Sequence, residues 1–273
     1  MVLSESVASG SVLDERPVLE FRNIGLEYTQ DGHPMRIIKE VSFSVRHAEF
    51  VSIVGPSGCG KTSLLRMVSG LNPTKIGTIH FRGELVTKPM KGVGIAFQNP
   101  VLLPWRNTLQ NVMLPLEVSE PYKSQYQQKL PEYTRMAQEL LGSVGLQDFQ
   151  KRYPWQLSGG MRQRASLCRA LIHHPELLLF DEPFGALDAF TREEMWVMVQ
   201  NLWMNLQFTG MLITHDLREA IFLSDTVYVM GPRPSEFIYE LRVNLPRPRT
   251  IEMCLSDEFN HLFSDVRRHI RRN

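Results

Sequence analysis

Three absences narrow the field before any motif is read. The chain of 273 residues carries only three cysteines, Cys59, Cys168 and Cys254. So few, so widely spaced, can build neither a disulfide framework nor the common zinc ligand patterns, and the usage fits a reducing compartment. No run of about 18 apolar residues exists, the length a membrane-crossing helix needs; the densest run, Leu177–Phe180, is strand length. An excess of one charge sign is missing too. Lys plus Arg number 30 and Asp plus Glu 29, a net charge of +1, whereas a general nucleic-acid coat shows a strong basic excess. The N-terminal stretch lacks the basic start and apolar core of a secretory signal, and its acidic residues count against a mitochondrial transit peptide. What remains, at 43% hydrophobic and 22% charged residues, is the composition of a globular intracellular protein.

Periodicity divides the chain. Residues 1–17 read as a flexible leader. Val18–Arg22, Val41–Val45 and Phe50–Val54 read as strands, with Asp31-Gly32-His33-Pro34 as a turn between the first two. A helix is expected at about Gly60–Ser69, then strands at Thr78–Phe81 and Val93–Phe97. From Pro100 the rhythm changes: Tyr133, Met136, Ala137, Leu140, Leu141 and Val144 repeat at helical spacing, so residues about 100–168 read as a helical insertion. Strands return at Leu177–Phe180 and Met211–Thr214, flanking a helix near Ala189–Leu206 whose apolar stripe is Met195, Val199, Leu202 and Leu206. Residues 244–273 differ in style. Leu245-Pro246-Arg247-Pro248-Arg249 reads as an extended linker. A terminal helix follows, with Ser256 as its N-cap and Phe259, Leu262, Phe263, Val266 and Ile270 as its stripe.

The chemistry starts at Gly55-Pro56-Ser57-Gly58-Cys59-Gly60-Lys61-Thr62, a complete phosphate-binding P-loop pattern placed after a buried strand and before a helix. Its glycines let successive N–H groups converge on a phosphate, and the helix N-terminus adds partial positive charge. Lys61 is expected to reach the β- and γ-phosphates, Thr62 to offer its hydroxyl to Mg2+, and Ser63 to bond phosphate. A nucleotide site also needs an acidic element for the metal. Asp181 supplies it at the end of the apolar strand Leu177–Phe180, at the sheet edge where open α/β folds bind ligands. Glu182, one residue further, is placed to polarise an attacking water. Cys59 lies inside the loop, so thiol modification is expected to block ATP.

Leu157-Ser158-Gly159-Gly160-Met161 narrows the class. With it, the sequence resembles the nucleotide-binding subunit of an ATP-binding cassette (ABC) transporter, from Val18 to about Asn244 and with the motifs in that family's order. The resemblance implies an α/β P-loop nucleotide-binding domain at 18–243 with a mixed sheet core, an antiparallel β subdomain and the helical insertion. It assigns Tyr28 to stacking on adenine, Gln98 to the nucleotide and metal, Asp188 to a loop at the dimer interface, and His215 to the γ-phosphate. Ser158, Gly159 and Gly160 open a helix and so form a further anion-binding N-terminus. One chain does not need two phosphate sites for one nucleotide; in the family the signature serves the opposite subunit, so two chains sandwich two ATP molecules head to tail. Met161 departs from the commonest signature, which has Gln, and a thioether cannot reproduce amide hydrogen bonds. The other seven histidines read as structural.

Three further stretches resemble the nitrate, sulfonate and taurine branch of bacterial importers: Gln98-Asn99-Pro100-Val101-Leu102-Leu103-Pro104-Trp105-Arg106, the run Pro183–Arg192, and Gly231-Pro232-Arg233-Pro234. That branch implies an ATPase with ATP and Mg2+, a homodimer on the cytoplasmic face of the membrane, integral membrane permease subunits, an extracytoplasmic solute-binding protein and no nucleic acid. Leu102, Leu103 and Trp105 are expected to offer the permease an apolar surface. The alternative, a non-transport cassette ATPase acting on ribosome or DNA, usually carries two cassettes or a long coiled coil, and neither is present here.

Overall fold

The computed structural model describes residues 17–30 and 33–271; the leader expected at 1–17 falls outside them except for Pro17, as do Asp31 and Gly32 of the expected turn. In chain order the elements are β1 (Leu19–Gln30), β2 (His33–Val45), β3 (Phe50–Val54), α1 (Lys61–Val68), β4 (Ile76–Phe81), β5 (Glu84–Leu85), β6 (Val93–Phe97), α2 (Thr108–Val118), α3 (Tyr122–Gln125), α4 (Leu130–Ser143), α5 (Gly159–Leu171), β7 (Leu177–Asp181), α6 (Ala189–Leu206), β8 (Thr209–Ile213), α7 (Leu217–Leu223), β9 (Thr226–Met230), β10 (Ser235–Arg242) and α8 (Asp257–Arg271).

The strands join in the order β5-β4-β1-β2-β10-β9-β3-β8-β7-β6. From β9 to β6 the pairing is parallel, and the N-terminal strands β1, β2, β4 and β5 are antiparallel. The parallel strands are mostly apolar because both faces are covered, with Ser52, Thr209 and Thr226 buried among the apolar residues. Alternation decides which face each residue serves. Phe50, Val54, Leu178 and Phe180 join one core with α2 and α4–α8, whereas Val51, Ile53, Leu177 and Leu179 join a second core with α1 and the antiparallel strands.

Most expected elements are present, some with different bounds. β1 runs to Gln30 and β2 starts at His33, so His33 and Pro34 belong to a strand. That half of the hairpin is exposed and has no apolar alternation to reveal it. β9 and β10 were not expected. Leu206 leaves the α6 stripe: it is exposed beside the left-handed C-cap Gln207, and Trp203 packs in the core instead. Within the insertion, Asn107 caps α2 by accepting from the Gln110 N–H at 2.9 Å, and buried Asn111 ties the preceding loop through Leu103 and Arg106.

The C-terminal segment is docked along its length. Arg249 is 2% exposed. Its guanidinium donates to the carbonyls of Ile221, Phe222 and Ser224 at the end of α7, and to those of Val243 and Leu245. Burial pulls its pKa down to about 9; five carbonyls and the negative end of α7 keep it charged at neutral pH. Its backbone N–H donates to buried Gln200 on α6, and its carbonyl accepts from the same amide, both at 2.8 Å. Arg247 lies over the Trp203 ring at 4.2 Å and pairs with Asp225 at 2.9 Å. Ser256 caps α8 as expected, accepting from the Phe259 N–H, and Phe259 and Val266 are buried. Arg249→Met would leave several carbonyls buried and unpaired. Urea titration should show a loss of roughly 3–5 kcal/mol, and a loss under about 1 kcal/mol would contradict the lock.

Candidate functional site

Parallel register assembles the site. Ile53 pairs with Ile213, and Asp181 pairs with both Ile213 and Phe97. The residues after each strand, Gly55, Glu182, His215 and Gln98, therefore emerge at one edge of the sheet. The P-loop turns through Gly58 at φ 76° and Gly60 at φ 109°, conformations open to glycine. A Cβ on Gly60 would also press on Ile38 at 3.0 Å. Buried Lys61 folds back along the loop, its Nζ donating to the carbonyls of Gly55 and Pro56 at 2.9 Å each. Ser57, Gly58, Gly60, Lys61, Thr62, Ser63, Tyr28, Glu182 and Arg233 are among the residues around a cavity of about 530 Å3. Tyr28 is 49% exposed, and its hydroxyl is 3.5 Å from Ser63 Oγ.

Thr62 Oγ1 donates to Asp181 Oδ1 at 3.1 Å. Burial raises the Asp181 carboxyl, the Thr62 bond opposes that, neighbouring Glu182 adds to it, and Arg66 and Lys61 offset part. A hydroxyl and a carboxylate in contact, both hard oxygen donors beside a phosphate cradle, fit Mg2+ completed by phosphate and water. Glu182 has φ 47°, sparsely populated for a non-glycine residue. Its N–H donation to Ile213 O at 2.9 Å holds it there. Its Oε2 lies 3.0 Å from His215 Nδ1. Gln98 Nε2 and His215 Cε1 both border Gly185, 3.5 and 3.8 Å from where a Cβ would stand.

Other expected site residues stand apart from this cavity. Among the described residues its wall contains none of Leu157–Met161, nor Asp188. Ser158 caps α5 by accepting from the Met161 N–H at 3.2 Å. Gly159 is exposed, and a Cβ there would meet only Leu187 Cδ2 at 3.9 Å, but a Cβ on Gly160 would lie 2.7 Å from Thr191 Cγ2, so Gly160 also lets α5 approach α6. Met161 packs partly into the core, which accounts for an apolar side chain there. Asp188 caps α6, accepting from Thr191 N and Oγ1, bonds that hold its carboxyl low.

Two side-chain expectations need correction. The Cys59 thiol is 1% exposed and faces inward, 3.3 Å from where a Cβ on Gly55 would sit; burial raises its pKa. It is shielded from reagents, and only its backbone faces the loop. Leu102 is a core residue at 8% exposure, whereas Trp105 is 71% exposed.

Sequence reasoning missed several connecting residues. Buried Gln163 on α5 donates to Phe97 O at 3.0 Å, tying the signature helix to the strand end before Gln98. Arg192 on α6 donates to Leu187 O at 3.0 Å and Asp216 Oδ2 at 3.1 Å, bridging the residues beside Asp188 and His215. Glu219 on α7 is 2% exposed among Asp216, Thr214, Trp196 and Arg192. Only three-dimensional proximity identifies their partners, although Arg192 and Arg233 both lie in stretches that the sequence singles out.

A P-loop, an acidic strand end and a histidine at one sheet edge define a P-loop nucleotide-binding protein. A family model described as ABC transporter matches residues 38–185, over half the chain. The taurine import ATP-binding protein TauB of Escherichia coli strain K12 is 40% identical over 210 residues, 77% of this chain and 80% of the relative. The aliphatic sulfonates import ATP-binding protein SsuB of Bacillus cereus is 36% identical over 223 residues, 82% and 85% of the two chains. The dimeric post-hydrolysis structure of the ATP-binding cassette MJ0796 bound to ADP and Pi superposes with a TM-score of 0.69 at 26% identity, covering 84% of this chain and all of that one. A second dimeric MJ0796 structure gives the same score at 27% identity. This chain belongs to the ABC transporter family as an ATP-binding subunit and is an ATPase.

Burial, then repulsion from Asp216, raises the Glu219 carboxyl to about 8. Its folded pKa exceeds the unfolded value, so the contribution is full below about pH 4.5 and is lost as pH rises through about 8. Glu219→Gln should flatten the fall in thermal stability over that window and make the protein more stable than wild type at pH 9. An unchanged pH profile would contradict this.

Proposed function

We propose that this chain is the ATPase motor of an importer for a small organosulfur anion of the taurine or alkanesulfonate kind. It works as a head-to-tail homodimer peripheral to the cytoplasmic face of the membrane. The observation that carries the catalytic reading is the meeting of Thr62, Asp181, Glu182 and His215 at one sheet edge. The P-loop N–H groups and Lys61 bind the transferring phosphate and stabilise its charge. Thr62 and, through water, Asp181 hold Mg2+, which supplies further charge neutralisation when bound. Glu182 accepts a proton from the attacking water. His215 holds Glu182 in line and contacts the γ-phosphate, with Gln98 beside it. Tyr28 stacks on adenine. Leu157, Ser158, Gly159, Gly160 and Met161 present their helix N-terminus to the partner's nucleotide, and Asp188 lies at the same interface.

Exposed Val101 and Trp105 fit a permease contact on the loop after Gln98. No helix among the described residues is long and apolar enough to cross a membrane, so this reading assigns the spanning part to separate permease subunits, fed by an extracytoplasmic solute-binding protein. The solute class rests on the named imports of TauB and SsuB.

Glu182→Gln should retain ATP binding while turnover falls roughly 10²–10⁴-fold; near-normal hydrolysis would remove Glu182 as the base. For the transport reading, affinity purification of the full chain from its native membrane should retain an integral permease. Deleting the gene should abolish growth on taurine or an alkanesulfonate as sulfur source. Recovery with ribosomes or DNA instead would overturn it.

A further inference from the structure

The stretch Gly231-Pro232-Arg233-Pro234 has no part in the mechanism above, yet the fold carries it to the P-loop. β9 runs parallel to β3 with Val229 opposite Val54. The next residue, Met230, is so close to Gly55 that a Cβ there would stand 2.6 Å from its carbonyl oxygen. At the far end of the turn the fully buried Ser235 hydroxyl sits between the carbonyls of Ile37 and Cys59. The turn is therefore fastened at both ends to the loop it crosses, and two prolines restrict its backbone.

Arg233 extends from this turn along the loop. Its Nε donates to Gly58 O, and one terminal nitrogen lies 2.7 Å from where a Cβ on Gly58 would be, so any larger residue at position 58 would displace it. The two terminal nitrogens, with four N–H donors between them, have no hydrogen-bond or acidic partner among the described residues. Arg233 borders the same cavity as Tyr28, Ser57, Lys61 and Ser63. An exposed arginine usually loses much side-chain freedom on binding a ligand; here the Nε bond has already removed part of it. A planar guanidinium fixed at one edge, its other edge free beside a phosphate cradle, has the geometry for bidentate recognition of phosphate oxygens.

We propose that Arg233 is a nucleotide-binding residue, a second cation beside Lys61 that contacts the polyphosphate of ATP and ADP. This rests on the P-loop being the ATP site. The test is displacement of a fluorescent ATP analogue from the full-length protein by ATP, ADP, AMP and adenosine, for wild type and for Arg233→Ala, Arg233→Gln and Arg233→Lys. Arg233→Ala and Arg233→Gln should weaken ATP and ADP by roughly tenfold, the scale of one charge-assisted contact. Arg233→Lys should recover part of the loss, AMP should lose less, and adenosine should stay within twofold. ATP affinity within twofold of wild type in the neutral variants would overturn the proposal. Equal losses for ATP and adenosine would overturn it too, reducing Arg233 to a support for the loop. Thermal melts identify any variant that fails to fold, and the remaining two then decide. If the wild type itself fails to bind the analogue, or Lys61→Ala binds as well as wild type, the P-loop reading is what fails.

Discussion

Everything in the site depends on the parallel hydrogen-bonded register of β6, β7, β8 and β3. Four strands that point the same way must end at the same edge, and their last residues are already paired across the sheet. No long-range attraction between Thr62 and Asp181, 119 positions apart, is needed to bring them together. Backbone ladders buried on both faces do it, at the level of Asp181, Ile213 and Phe97. The polar chemistry then gathers at the strand ends and in the loops that follow them, as far as Lys61 and Thr62 at the start of α1, where the apolar run stops and water or ligand begins. This separation lets the core be built from Leu, Ile, Val and Phe while the site uses Lys, Thr, Asp, Glu and His.

Much of this was legible because the site is made of contiguous motifs. The P-loop declares both its chemistry and its neighbours, since a buried strand must precede it and a helix follow. β3, β6 and α6 were bounded correctly for the same reason: each is an apolar run or stripe with clear punctuation. What could not be read is whatever rests on contact between distant side chains. Cys59 looks reactive as part of a loop, but its Cβ points behind the backbone into the core. Leu102 and Trp105 look alike in a list of apolar residues, and only the packing of α2 separates the buried one from the exposed one. Gln163 and Glu219 have no local signal at all, and the run that ends at Arg192 says nothing of its role, because their partners lie on other elements.

Those unannounced residues form a pattern of their own. Gln163 reaches from the signature helix to the strand end at Phe97, and Arg192 reaches from the Asp188 loop to Asp216. Each ties an element at one side of the site to a strand end or loop at the sheet edge, so that segments far apart in sequence are held in one arrangement.

In sequence the C-terminal segment reads as a linker and a helix that differ in style from the catalytic domain. In the structure its side chains pack against that domain. Val243, Leu245, Cys254, Phe259 and Val266 belong to the same apolar cluster as Phe180 and Phe222. Arg249 is bound to the far end of the helix that starts beside His215. Cutting the chain after residue 243 would therefore not release a self-contained catalytic domain. It would open the flank of α6 and α7 to water and untie the far end of α7, the helix whose N-cap Asp216 follows His215. Residues 244–270 are the closing wall of the catalytic core, whose limit is set by packing and not by the final motif.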